Sequence, residues 1–161
     1  MSAIDRALEA NEYFSRTYEL PPDLPDPQVA AVMCMDARID PVRALGFRPG
    51  EAHIIRNAGG RLADAIRSLA ISQTILGTRE VMIVHHTRCG MMRYTDDEMR
   101  AMFRKARGAI ADGIAFLPFR DLVQSVRDDL ELYRQSPILR QDIPVRGFVY
   151  DVETGKLTEV N

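Results

Sequence analysis

The hydrophobic pattern of the chain predicts a buried parallel sheet near its centre. The run V-A-A-V-M-C at 29–34 is apolar at every position, as expected for a strand that is covered on both faces. Further short strands are predicted at 52–56 and 80–85, and apolar residues at helical spacing from Leu62 onward predict a helix between them. Strand, helix and strand in this order predict a parallel sheet. We therefore expect an α/β fold with a mainly parallel central sheet of about four to five strands flanked by helices.

The N-terminal segment has the pattern of a helix that stands apart from this sheet. Ser2 is a candidate N-cap, and the apolar residues that follow it recur at helical spacing, which predicts a helix over about 2–16. The Pro-rich stretch 21–27 predicts an extended connector. A helix displaced from the main body in this way often packs on a partner subunit.

The second half of the chain predicts two more helices, over about 95–107 and 121–135, and a closing hairpin over 147–160. Between these helices lies an apolar stretch, 108–119, that glycine and proline interrupt. This stretch is compatible with a buried loop, a lid or an interface segment, and the sequence does not choose among the three.

Length and composition predict one globular domain that spans residues 1–161. Of the 161 residues, 46% are hydrophobic, and 21 basic and 23 acidic side chains give a formal charge of −2. This balance lacks the broad positive charge expected of a protein that binds nucleic acid or an anionic membrane. No stretch is apolar enough to span a membrane, and the charged N-terminus is unlike a signal peptide. We therefore expect a cytoplasmic protein whose two cysteines stay reduced.

The scarce cysteines and histidines lie where predicted strands end. Cys34 closes the first strand, and His86 and Cys89 follow the third. Because the carboxyl ends of parallel strands share one edge of a sheet, these side chains converge if the two strands are neighbours. Two thiolates and one imidazole are a zinc-binding set, and three protein ligands with an open fourth position are typical of catalytic Zn²⁺. The three residues are therefore candidate metal ligands.

An acidic and a basic residue follow the first of these cysteines. In C-M-D-A-R, an extended backbone places Cys34, Asp36 and Arg38 on one face. Asp36 is then able to accept a hydrogen bond from a water or hydroxide on the metal. Arg38 would hold the carboxylate by a charge-assisted fork and keep it ionised, so both residues are candidate catalytic residues.

Other candidates have a structural alternative. Ala58, Gly59 and Gly60 offer free backbone N–H groups ahead of a helix, which suits binding of a small anion such as the substrate or close approach to the metal, although the glycines are equally consistent with a simple turn. His85 ends an apolar run beside the candidate ligand, and adjacent strand residues face opposite ways. We therefore expect His85 to be a packed or hydrogen-bonded histidine, with a proton-relay role as the alternative, and we expect a structural role for His53 as well.

The motifs at 34–38, 55–60 and 86–90, together with the order and separation in which they occur, resemble the β-class carbonic anhydrases. The matching residues are C-M-D-A-R, I-R-N-A-G-G and H-T-R-C-G, and the similarity extends over most of the chain. The sequence is most similar to the short microbial members. The paired C-x-D-x-R and H-x-x-C motifs are specific at this separation, whereas either one alone would not be.

The resemblance implies a β-carbonic-anhydrase-like fold and a zinc enzyme that reversibly hydrates carbon dioxide to bicarbonate and a proton. It implies zinc ligation by Cys34, His86 and Cys89 and attack by a zinc-bound hydroxide that Asp36 and Arg38 orient. It also implies a homodimer or a higher even oligomer. In some members the aspartate itself binds zinc, so Asp36 is expected either on the metal or on Arg38.

Several alternatives stay open at this point. Similar enzymes hydrolyse carbonyl sulfide or carbon disulfide with the same ligands, so the motifs identify the machinery better than the substrate. A non-catalytic protein that binds zinc or bicarbonate, with Asp36 filling the fourth position, is a second alternative. A redox protein with a Cys34–Cys89 disulfide is a third. Arg88 lies inside the H-x-x-C motif, at a position that the resemblance implies is variable in the family, and it places a cation beside the metal loop.

Overall fold

The centre of the protein is a five-stranded sheet in which four neighbouring strands run parallel. The computed structural model describes residues 1–19, 28–108 and 110–161. The strands follow the order β2-β1-β3-β4-β5, and β5 pairs antiparallel with β4. The mainly parallel sheet and the C-terminal hairpin predicted from the sequence are therefore confirmed. The strand bounds are β1 Val29–Cys34, β2 Ala52–Asn57, β3 Glu80–His86, β4 Val145–Tyr150 and β5 Leu157–Val160.

The four predicted helices are present, but one begins later than expected, and the sequence prediction missed a short helix at Pro41–Leu45. The helix expected to begin at Leu62 begins instead at Ile66 and is preceded by a 3-10 turn over Leu62–Asp64, in which the Ala65 N–H donates to the Leu62 carbonyl at 2.8 Å. The Leu62 N–H donates to Asp129 Oδ2 at 2.9 Å, which fixes the start of this turn. The predicted connector at 21–27 lies outside the described residues. The helix bounds are α1 Ala3–Ser15, α2 Pro41–Leu45, α3 Ile66–Thr74, α4 Asp96–Arg107 and α5 Leu122–Gln135. None of these helices in the described part of the chain is long and apolar enough to cross a membrane.

Strand β1 is covered on both faces, which explains its uniformly apolar sequence. Because side chains alternate along a strand, Ala30 and Val32 face one side while Ala31 and Met33 face the other. The first face packs against residues of α3 and α5, and the second against Ile39 and the segment around α2. Every residue of β1 is buried.

The strand order of the sheet has its topological switch point between β1 and β3. The chain passes from β1 to β2 on one side, and β3 then returns to pair with the other side of β1 before β4 extends the sheet further. In open α/β sheets such a point leaves a crevice outside the carboxyl ends of the strands, where ligands bind. Cys34 ends β1 and His86 ends β3, so both lie at this crevice, as predicted.

Gly147 in β4 permits the close packing of α5, and its substitution tests that packing. A Cβ at this position would lie 2.8 Å from Leu130 Cδ1 and closer still to Val126. We expect Gly147→Ala to lower the free energy of unfolding by about 2 kcal/mol through overpacking. The measurement is urea and thermal unfolding at one fixed protein concentration.

Gly113→Ala is the matched control, since a Cβ at Gly113 meets no atom within 4 Å. Equal stability losses in the two variants would contradict the packing argument.

Candidate metal centre

Three soft donor atoms meet in a buried space at the β1–β3 edge. Cys34, His86 and Cys89 are all buried, and their ligand atoms lie within 4.8 Å of one another. The two sulfur atoms are 4.0 Å apart. Two sulfurs bound at 2.3 Å to one tetrahedral ion lie about 3.8 Å apart, so the observed separation suits a shared metal. It is far longer than the roughly 2.05 Å of a disulfide, and both cysteines are free.

The imidazole of His86 presents a lone pair to this space. Its Nδ1 lies 2.9 Å from the carbonyl oxygen of Thr87, and since a carbonyl only accepts, Nδ1 carries the proton and donates. Nε2 is therefore the unprotonated nitrogen. It is buried and has no hydrogen-bond partner among the described residues. Buried polar atoms are normally satisfied, so an orphaned Nε2 beside two sulfurs fits a metal ligand.

The two thiols share a hydrogen bond that shifts their pKa values in opposite directions. The contact with Cys89 lowers the pKa of the Cys34 thiol, and the backbone N–H groups of Asp36 and Gly59 favour its thiolate further. The same contact raises the pKa of Cys89, and burial raises it as well. The pair therefore gives up one proton readily and the second with difficulty. A divalent cation would displace that second proton, since thiolates rather than thiols bind metals.

Asp36 and Arg38 form the predicted fork, although not by the predicted backbone. Arg38 donates from Nε to Asp36 Oδ1 at 2.9 Å and from Nη2 to Oδ2 at 2.8 Å. The expected extended strand is wrong here, because β1 ends at Cys34 and residues 37–38 form a turn. The Asp36 carboxylate also accepts the backbone N–H of Arg38 at 2.9 Å, and this Asx-type contact bends the chain. Arg38 holds the pKa of Asp36 well below its usual range.

The Asp36 carboxylate lies between its arginine partner and the donor cluster. Its Oδ2 is 3.8 Å from His86 Nε2, which is too long for a hydrogen bond. The carboxylate is therefore bound by Arg38 in this structure, while the donor cluster stays within reach of a small side-chain movement. Of the two placements expected for Asp36, the structure has the one on Arg38.

Arg56 secures the segment that carries these groups, and the sequence prediction missed it. Its Nε donates to the carbonyl of Cys34 at 2.9 Å, and its Nη2 donates to the carbonyl of Asp36 at 2.7 Å. One guanidinium thus fixes the main chain on both sides of Met35. The I-R-N-A-G-G motif contains this arginine, but only the register of β1 with β2, which places Met33 opposite Arg56, brings it to its partners.

The turn after β2 brings backbone groups against the donor cluster. Asn57 closes the turn, accepting the Arg61 N–H at 2.7 Å and donating to the Arg61 carbonyl at 2.8 Å. Gly59 and Gly60 have φ values of 82° and 69°, in the left-handed region that favours glycine. A Cβ on Gly60 would lie 2.9 Å from both the Cys34 nitrogen and the Val84 oxygen. Ala58 is half-buried beside them, and substrate binding by these three residues stays a prediction.

Phe119 is a second residue that the sequence prediction missed. Its buried ring packs with Cys34 and Cys89 and forms an apolar wall beside the sulfurs. The His85 ring stacks on Phe119 at 5.3 Å, and the Arg61 guanidinium lies 5.5 Å from the centre of the ring. Phe119 ends the apolar stretch 108–119, which therefore contributes a buried residue to the site, although Ile110 and Ile114 in the same stretch are exposed.

Both remaining histidines are hydrogen-bonded within the fold, as predicted, with His85 buried and His53 half-buried. His85 Nδ1 is 2.7 Å from Ser125 Oγ, and its Nε2 is 3.0 Å from Asp129 Oδ2. His53 Nδ1 is 2.8 Å from Ser72 Oγ. Neither belongs to the donor cluster formed by Cys34, His86 and Cys89.

Comparison with known proteins assigns this arrangement to a family. A sequence profile of the carbonic anhydrase family matches residues 29–157, and the match includes the donor cluster and the Asp36–Arg38 fork. Beta-carbonic anhydrase 1 of Mycobacterium tuberculosis is 43% identical to the chain, and the alignment covers 99% of both proteins. The chain belongs to the β-carbonic anhydrase family. The family resemblance drawn from the three motifs is thereby confirmed.

Solved structures of β-carbonic anhydrases have the same fold over the whole chain. The carbonic anhydrase from Streptococcus mutans superimposes with a TM-score of 0.93 at 43% identity, covering 100% of this chain and 99% of that one. Relatives with another name also match. A carbon disulfide hydrolase of Saccharolobus solfataricus is 34% identical over 82% of this chain and 76% of its own.

Gly60→Ala tests whether the close contact of the turn with the backbone of β1 and β3 keeps the donor cluster able to hold a metal. Gly46 has a similar φ of 73°, but a Cβ there meets no atom within 4 Å, so Gly46→Ala isolates the cost of the left-handed backbone. We expect Gly46→Ala to cost about 1 kcal/mol of stability with normal metal content. Gly60→Ala adds a clash with two backbone atoms, and we expect a loss of about 3 kcal/mol or more together with reduced metal retention.

Urea unfolding and metal analysis of the purified variants give the two measurements. Equal losses in the two variants would show that the contact of Gly60 with β1 and β3 is unimportant.

Proposed function

We propose that this chain is a zinc-dependent carbonic anhydrase that reversibly hydrates carbon dioxide to bicarbonate and a proton. The observation that carries the proposal is the buried cluster of two sulfurs and one imidazole nitrogen with an ionised carboxylate fork beside it. The proposal is supported by membership of the β-carbonic anhydrase family and by 43% identity to a named member over nearly the full length of both chains.

Cys34, His86 and Cys89 would hold the zinc ion. Their donor types form the Cys2His set that leaves one tetrahedral position open, and the orphaned Nε2 of His86 supplies the required lone pair. Asp36 would become a fourth ligand only in a closed form of the site, in which it leaves Arg38. When bound, zinc would act as a Lewis acid that lowers the pKa of water, so that hydroxide is available as the nucleophile at neutral pH.

Asp36 would orient the attacking water. Arg38 keeps the carboxylate ionised, so Asp36 acts only as a hydrogen-bond acceptor and directs a lone pair of the water oxygen toward the carbon atom of carbon dioxide. A new C–O bond forms, one C=O double bond becomes a C–O single bond with negative charge on oxygen, and one proton passes to buffer. Ala58, Gly59 and Gly60 would line the position of the bicarbonate product.

The apolar wall suits the substrate. Carbon dioxide has no net charge and no hydrogen-bond donor, and Phe119 and Met91 place apolar atoms beside the donor cluster. An apolar lining admits this molecule and offers little to a charged one. The segment 108–119 thus contributes to the site through its buried aromatic end.

The alternatives predict different chemistry. Hydrolysis of carbonyl sulfide or carbon disulfide would use the same donors, but the named hydrolase is less similar to the chain than the named anhydrase is. A non-catalytic zinc protein would need Asp36 fixed on the metal, whereas here Arg38 binds it through two hydrogen bonds. A disulfide protein would need the sulfurs about 2 Å closer than their separation of 4.0 Å. A reducing compartment such as the cytosol keeps the two thiols available.

Metal content and activity of three proteins test the proposal. We expect about one zinc per chain in the wild type and in Asp36→Ala, because removal of the carboxylate leaves all three donors. Cys89→Ser removes a thiolate, and we expect it to lose the metal. Stopped-flow measurements should show carbon dioxide hydration only in the wild type.

Asp36→Asn is the matched control, since it keeps the size of the side chain but loses the charge, and we expect it to be as inactive as Asp36→Ala. Sulfide release from carbon disulfide is measured on the same preparation. Rapid sulfide release without carbon dioxide hydration would replace the proposed substrate, and a zinc-loaded wild type inactive in both assays would overturn the enzymatic function.

We also propose that the chain forms at least a homodimer through α1. No residue of α1 is buried, and its apolar side chains Ile4, Leu8 and Phe14 are exposed. A helix with an uncovered apolar side is stabilised mainly by packing against another surface. Ser2 and Asp5 close a capping box at its N-terminus, so the helix is well formed at the end that carries Ile4.

Substitution of these side chains tests the association. We expect sedimentation equilibrium of the wild type to give the mass of two chains or a higher even number. The double variant Ile4→Ser/Leu8→Ser removes apolar surface and should weaken the dimer at least tenfold.

Glu9→Gln, which lies on the side of the helix away from Ile4, Leu8 and Phe14, is the control and should leave the mass unchanged. A monomeric wild type would contradict the proposal, as would a double variant that associates as tightly as the wild type.

A further inference from the structure

Arg88 has a backbone conformation that side chains other than glycine rarely adopt. Its φ is 55°, and Leu117 is the only other non-glycine residue with positive φ in the described ranges 1–19, 28–108 and 110–161. Arg88 lies between His86 and Cys89, two of the residues assigned to the metal. A left-handed residue that persists at such a position indicates that its surroundings determine the conformation.

This conformation directs the main-chain carbonyl of Arg88 toward Arg38. Nη2 of Arg38 donates to that carbonyl at 3.1 Å and to Asp36 Oδ2 at 2.8 Å. The guanidinium is therefore bound from two sides, by the carboxylate it orients and by the loop between the metal ligands. Without the carbonyl, Asp36 itself would be the chief anchor of a side chain that is about half exposed.

The rest of the loop is attached to the β4–β5 connection. The Thr87 N–H donates to the carbonyl of Tyr150 at 2.9 Å, and the Thr87 hydroxyl donates to Asp151 Oδ1 at 3.2 Å. The Arg88 side chain forms an ion pair with Glu153 at 2.9 Å, but both side chains are more than half exposed. Exposed pairs of this kind contribute little, so the backbone contacts determine where the Arg88 carbonyl points.

We propose that Arg88 is a positioning residue whose left-handed backbone holds Arg38, and through it Asp36, away from the metal ligands. The competing position is near, since Asp36 Oδ2 is 3.8 Å from His86 Nε2. The catalytic consequence rests on the proposed function, because an Asp36 that moves onto the ligand side can no longer orient a water. The placement of Arg38 does not depend on the substrate.

A series of substitutions at position 88 separates backbone conformation from side-chain charge. Arg88→Gly and Arg88→Asn accept the left-handed region, whereas a β-branched side chain in Arg88→Val strongly disfavours it. Arg88→Ala has an intermediate preference and serves if the valine variant folds poorly. Glu153→Gln removes the ion pair and leaves the residue at position 88 unchanged.

The direct measurement is the ¹⁵N–¹H signal of the Arg38 Nη2 group, which donates to the Arg88 carbonyl, in metal-free protein; it is assigned with Arg38→Lys. We expect a slowly exchanging signal in the wild type, Arg88→Gly, Arg88→Asn and Glu153→Gln, and a broadened or fast-exchanging one in Arg88→Val. For the zinc-loaded proteins we expect kcat for carbon dioxide hydration to fall about tenfold in Arg88→Val with little change in KM, and to stay within about threefold of wild type in the glycine and asparagine variants.

Two results would overturn the inference: an Arg38 signal that is equally protected in Arg88→Val and the wild type, or a loss in Glu153→Gln as large as that in Arg88→Val. An inactive wild type would instead overturn the proposed function, and the Arg38 signals would still decide the role of Arg88.

Discussion

The parallel pairing of β1 with β3 is the constraint on which the rest of the structure depends. Met33 lies opposite Val84 in this ladder, so the two strands leave the sheet at one edge and deliver Cys34 and His86 to the same space. Gly60 fits against the backbone of both strands at this edge, where no Cβ has room. The site is thus fixed by backbone packing before any side chain acts. The ligands Cys34 and His86 are both buried at the ends of these strands.

Burying the donor cluster lowers the stability of the fold unless its polar atoms find partners. A buried polar atom that lacks a partner destabilises the folded state, and the Nε2 of His86 is such an atom. A divalent cation bound by two thiolates has no net charge, and Asp36 is neutralised separately by Arg38. In the proposed holoprotein, the charges would therefore balance within two neighbouring groups, the cation with its two thiolates and the Asp36–Arg38 pair. Metal binding would stabilise the fold as well as supply the chemistry.

The sequence was sufficient to predict the sheet and the donor cluster because both follow from local patterns. An apolar run on β1 and the positions of scarce residues at strand ends are visible in the chain, and parallel strands bring such ends together. The turn at Asp36–Arg38 was predicted incorrectly, because the same residues are compatible with an extended strand until the Arg38 N–H binds the carboxylate. Phe119 was missed because its partners His85 and Arg61 are distant in the chain and no periodicity links them.

The metal ligands and the Asp36–Arg38 pair are held in place by different kinds of structure. This difference matters for which substrate the site accepts. Cys34 and His86 end strands, whereas Asp36 and Arg38 lie on a turn and depend on hydrogen bonds from Arg56 and to Arg88. Because a named carbon disulfide hydrolase belongs among the relatives, the family's metal site alone does not identify the substrate. Under the proposed function, selection among carbon dioxide and its sulfur analogues would depend on the groups around the donors. Those groups are the apolar wall at Phe119, which lies on a loop, and Asp36, whose orientation is held by Arg38 on the turn and by Arg56 of β2.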